Sequence, residues 1–143
     1  MSTDTATEVD QEALLAVVAG LVPATAAQVG TALGKLSIAL ERITQQLTAA
    51  DEEATHLDQE LQLAYDLAYL QAGEGPERVT GPVREATARV ATAELRMRAE
   101  VAKLNVRSLR AAHRTLDRRI DVGRTQAATV RSELRTLSYG GGA

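Results

Sequence analysis

Arg96, Lys103, Arg107, Arg114 and Arg118 follow one another at spacings of 7, 4, 7 and 4 residues. On an α-helix such residues share one stripe, because side chains four and seven positions apart point the same way. Arg110 lies beside the stripe, and Arg119 and Arg124 extend it. A guanidinium presents a rigid fork of donors that matches phosphate oxygens and can stack on a base. The chemistry implied is the binding of a polyanion. At 100° per residue, Leu109 and Leu116 lie about 200° from Arg107 and Arg114, so the stripe should point away from the apolar side of its helix. Between residues 103 and 119, six cations meet one acid, Asp117, while the window expected to face them, 35–51, is neutral. The predicted nucleic-acid-binding set is Lys103, Arg107, Arg110, Arg114, Arg118, Arg119 and Arg124.

Other reactive side chains are sparse. The chain has no cysteine, which excludes disulfides, thiol catalysis and Cys-ligated zinc. In a helical hairpin centred near residue 77, position i should face 154 − i. His56 then faces Arg98 and His113 faces Glu41, too far apart to share a metal, and both read as solvated surface histidines. Carboxylates gather at Asp51, Glu52, Glu53, Asp58 and Glu60. The residues facing them are mostly cationic, so cross-helix ion pairing explains the cluster better than a metal site. No phosphate-loop, nucleophile-elbow or zinc-protease motif occurs. Gly73-Glu74-Gly75 reads as a turn. A non-enzymatic protein without cofactor or metal is expected.

These side chains need elements to hold them. The 143 residues are 45% apolar and 24% charged, which suits an ordered chain. Aromatic residues make up only 2%, with three Tyr and no Phe or Trp. A core of Leu, Val, Ile and Ala suits long helices packed side by side. Residues 1–77 carry a net charge of −11 and residues 78–143 one of +8. Such asymmetry points to self-neutralisation or to a polyanion partner. The longest apolar run, Ala13–Val22, is far short of the ~20 residues of a membrane span. It follows acidic residues rather than the basic start of a signal peptide. The expected location is the cytoplasm, bacterial or of a phage's host.

Residues 1–8 read as a disordered arm. A short helix is expected from Val9 to Leu21, ended by Pro23. Thr25 and Gln28 then form a T-x-x-Q capping box. From Val29 to Ala68 apolar residues alternate in steps of four and three, the heptad pattern of a coiled coil. Gly73, Gly75 and Pro76 end this helix, and Pro82 opens a second long one running to Ser138. Its stripe is expected to be Val83, Ala86, Val90, Ala93, Met97, Val101 and Leu104, with a phase shift before Leu109, Ala112, Leu116, Ile120, Gly123, Ala127, Val130, Leu134 and Leu137. Gly123 suggests a close helix crossing, and residues 139–143 a flexible tail. The fold class is all-α, a single domain over 9–138: a long antiparallel coiled-coil hairpin with a short N-terminal helix. Such a hairpin buries little surface, so a homo-oligomer is expected.

Three fragments carry a family likeness: Ala64-Tyr65-Asp66-Leu67-Ala68-Tyr69-Leu70, Ala91-Thr92-Ala93-Glu94-Leu95-Arg96, and Leu116-Asp117-Arg118-Arg119-Ile120-Asp121-Val122-Gly123-Arg124, with Glu77-Arg78 at the tip. Over about half the chain they resemble short helical proteins of phages and prophages. In layout these are similar to the recombination mediator family of T4-type phages. The resemblance implies a ring that binds single-stranded DNA and loads a recombinase past single-strand-binding protein, with DNA contact through Lys103–Arg124 and no catalysis. The expected function is therefore a single-stranded DNA-binding recombination accessory protein. A coiled-coil structural or scaffolding protein is the alternative. With almost no aromatic side chains for stacking, DNA binding would rest on arginine and phosphate.

Overall fold

A computed structural model describes residues 25–76 and 78–139. They form three helices and no strand: α1 (Ala26–Gln71), α2 (Gly81–Ala91) and α3 (Ala93–Tyr139). The expected helix over 9–21, the N-terminal arm and the tail after Tyr139 lie outside the described residues.

The helix ends follow from local chemistry. Thr25 caps α1: its N–H donates to Gln28 Oε1 at 2.8 Å, and the Gln28 N–H donates to Thr25 Oγ1 at 3.3 Å. Two amides without intrahelical partners are thereby satisfied, as the capping box predicts. After Gln71 the chain turns at once, with the Gly73 N–H donating to Leu70 O and the Glu74 N–H to Gln71 O. Thr80 is extended (φ −73°, ψ 154°), and its carbonyl accepts the N–H groups of Val83 and Arg84. Pro82 follows in the first turn, where its missing N–H costs nothing.

The second expected long helix is divided at Thr92, whose φ of −105° and ψ of 9° leave the helical region. Thr92 is buried, and its Oγ1 donates to Ala88 O at 2.8 Å. A β-branched residue bonded back to the preceding turn bends a helix. The hydrogen-bond ladder resumes immediately, as the Arg96 N–H donates to Thr92 O.

The described residues fall into two compact units, one ending at Thr44 and resuming at Ala111, the other spanning Gln45–Arg110. In the second, Ala50, Ala54, Leu57, Ala99, Ala102 and Val106 form the core, edged by Leu47, Leu61, Leu95 and Leu109. In the first, Ala32, Leu36 and Ile120 are edged by Leu33, Leu40 and Leu116. Each core is a face of α1 packed against a face of α3, the arrangement of a helical hairpin. Layers such as Ala54 with Ala102 and Leu36 with Ile120 have residue numbers that sum to 156, close to the expected 154.

The α1 stripe is buried or half-buried throughout Val29–Ala68, as its heptads predict. The expected stripe over 83–104 is corrected. Val83, Ala86, Val90, Ala93, Met97, Val101 and Leu104 are all exposed, Val90 to 78%. The buried seam is Ala88, Thr92, Leu95, Ala99, Ala102, Val106 and Leu109, in steps of four and three with no phase shift. Small residues win this face because two helix backbones approach most closely over a Cβ. Gly123 is buried within the first unit's seam. Leu134 and Leu137 keep seam spacing yet are exposed.

Overpacking separates the two faces. Ala99→Leu should cost about 1–3 kcal/mol, whereas Ala128→Leu, at an exposed position of α3, should stay within about 0.5 kcal/mol, both read by urea unfolding. Gly34 is exposed inside α1 with nothing within 4 Å of an added Cβ. Gly34→Ala should therefore raise stability by about 0.5–1 kcal/mol in the same assay.

Candidate nucleic-acid interface

The seven predicted basic residues all lie on α3, but the structure sorts them into two groups. Lys103 and Arg110 each follow a seam residue, Ala102 and Leu109, so they border α1 instead of pointing away from it. Lys103 Nζ donates to Asp58 Oδ1 at 2.8 Å and lies 3.5 Å from Glu100 Oε1. Arg110 Nη2 spans the Asp51 carboxylate at 2.9 and 3.2 Å. Both acids likewise follow seam residues, Ala50 and Leu57. The expectation that Arg110 would be left unanswered is corrected: a long side chain beside a narrow alanine seam reaches the opposite helix. Of the cations expected to answer the acids at 51–60, which were Arg96, Arg98 and Lys103, only Lys103 does so; Arg96 and Arg98 form no ion pair among the described residues.

The second group is exposed. Arg107, Arg114, Arg118 and Arg119 have no ion-pair or hydrogen-bond partner among the described residues. Arg107 belongs to the second unit and lines a shallow groove with Asp51, Asp58, Lys103 and Arg110. Both carboxylates of that groove are engaged by the neighbouring cations, so Arg107 is its uncompensated charge. Arg114, Arg118 and Arg119 belong to the first unit, where Arg114 and Arg118 sit one turn apart on the same side of α3. Arg124 stands 3.5 Å from Asp121, one turn earlier. An exposed pair at that distance contributes little and leaves the guanidinium accessible.

The remaining titratable groups suggest no reaction. His56 Nδ1 lies 4.0 Å from Glu60 Oε2 in a solvated i,i+4 pair. His113 is half-buried, which corrects its reading as a solvated surface residue. Among the described residues no three His, Cys, Asp or Glu side chains gather to hold a metal ion. No helix among them is long and apolar enough to cross a membrane. Tyr65 and Tyr69 are half-buried on α1.

Comparison with protein-family models, curated proteins and solved structures returns no match to this chain.

The Lys103 ammonium is held above the ordinary lysine range, chiefly by its hydrogen bond to Asp58 and despite partial desolvation. A raised folded value makes its stabilising effect complete below the unfolded lysine value. The effect disappears as pH rises through the folded value. Lys103→Met should therefore unfold at lower urea than wild type at neutral pH, and the two midpoints should converge in strongly alkaline buffer.

Proposed function

We propose that this protein is a non-enzymatic, oligomeric helical protein that binds single-stranded DNA and assists recombination. Its partners in that role would be a recombinase and single-strand-binding protein. The observation that carries the reading is that four of the seven predicted basic residues, Arg107, Arg114, Arg118 and Arg119, are exposed and have no acidic partner among the described residues. Two of these four arginines, Arg118 and Arg119, lie in the fragment Leu116–Arg124 that resembles the T4-type mediator family, and the reading draws its biological setting from that likeness.

The physical argument is one of competition. An arginine held by a carboxylate must break that pair before it can take a phosphate. Lys103 and Arg110 are held in this way, so they serve mainly to join α3 to α1. The four unpartnered guanidiniums are free to displace counterions from a nucleic-acid backbone, which is the main source of sequence-independent affinity. Half-buried Tyr65 and Tyr69 offer little stacking surface, so base identity should matter little.

Replacing Arg107, Arg114, Arg118 and Arg119 together by Glu should abolish binding to a single-stranded oligonucleotide at ~100 mM salt, while helix content is kept. Arg110→Gln should weaken binding far less and should lower stability instead. Unchanged affinity in the fourfold variant would refute the role of these arginines, and no salt-dependent binding by the wild type would refute DNA binding and favour a structural coiled-coil role.

A further inference from the structure

The exposed stripe on α2 and α3 is itself a coiled-coil seam. Val83, Val90, Met97 and Leu104 recur every seven residues and are 53–78% exposed. Ala86, Ala93 and Val101 fill intervening positions and are exposed as well. The stripe lies opposite the seam that α1 covers, so this helical segment carries a heptad pattern on two faces. A second apolar strip, Leu63, Leu67 and Leu70, is exposed on α1 in the same unit, again at steps of four and three. Exposed apolar surface of this extent marks an interaction site, and heptad spacing specifies a helix as its occupant.

Charge selects which helix. From Gln45 to Gln71, α1 has six carboxylates and no Lys or Arg, with Glu60 and Asp66 beside the exposed leucines. From Gly81 to Arg110 the basic residues outnumber the acidic ones seven to three, and the unpaired Arg96 and Arg98 flank Met97 on either side. Stripe against stripe would set like charges together. The α1 strip against the α2–α3 stripe sets acid against base. We infer that the occupant is a second copy of this chain, packed head to tail, with Leu63, Leu67 and Leu70 of one copy on Met97, Val101 and Leu104 of the next, two strips of equal length and spacing. A head-to-tail contact leaves one face open at each end, so it propagates until it closes into a ring or extends as a filament. The inference deepens the DNA-binding reading, which benefits from several copies of the α3 arginines on one strand, but it does not depend on DNA.

Light scattering and mixing test it. The full chain should scatter as a multiple of its 15.2 kDa mass. Leu63→Glu/Leu67→Glu and Met97→Glu/Leu104→Glu should each scatter as single chains with unchanged helix content. An equimolar mixture should recover a species of two chains, since one intact face of each kind remains. Should the glutamate pairs lower helix content, Leu63→Gln/Leu67→Gln and Met97→Gln/Leu104→Gln give the same reading. A wild-type monomer, a variant that keeps the wild-type mass, or a mixture that stays monomeric would overturn the proposal. Because the readout is mass, loss of DNA binding without loss of mass would reject the DNA reading and leave this one standing.

Discussion

Ala50, Ala54, Ala99 and Ala102 are four of the six buried residues between α1 and α3 in the second unit, with only Leu57 and Val106 larger than alanine. Everything else about the interface follows from that small seam. Two helices that meet over methyl groups come close enough for side chains bordering the seam to span it. Asp51 can therefore accept from Arg110, and Asp58 from Lys103, both at under 3 Å. Exposed ion pairs of this kind contribute little to stability, about 0–1 kcal/mol. Their larger consequence is to decide which cations are consumed within the fold and which are left for a ligand.

The same seam explains the apolar residues that remain outside. Leu95 and Leu109 bracket the alanines on α3 and cover their edges. Two helices have only one shared face, so a second heptad pattern on α2 and α3 has nothing in its own unit to cover it. The outer side of this segment thus offers apolar stripe and unpaired arginine together. Self-association and polyanion binding make compatible demands on such a surface: subunits that pack by Met97, Val101 and Leu104 would repeat the Arg107–Arg119 segment along the assembly.

Much of the fold was legible in the residues. Thr25 and Gln28 announced the start of α1, Gly73 to Pro76 its end, and the Leu-rich heptads of α1 its buried face. The α3 seam was misread for a physical reason. Val90, Met97 and Leu104 have the larger side chains and an equally regular spacing, so size pointed to the outer face. The inner face belongs to Ala88, Thr92, Ala99 and Ala102, chosen for close approach rather than for area. Angular position placed Arg107 and Arg114 outward correctly, and the acids at 51–60 do answer Lys103, but Arg110 was misjudged, because side-chain length lets a flanking cation reach across a narrow seam. The break at Thr92 was illegible, since its cause is burial of a hydroxyl that bonds to Ala88.

The account turns on four unpartnered arginines acting through phosphate alone. The most direct measurement is the affinity for a single-stranded oligonucleotide as a function of salt, compared between two base compositions. Each phosphate neutralised on a single strand contributes about −0.7 to the slope of log affinity against log salt, so four arginines predict a slope of about −3 per binding unit. The affinity should also be the same for both compositions. A slope near zero, or a strong preference for one composition, would contradict the account.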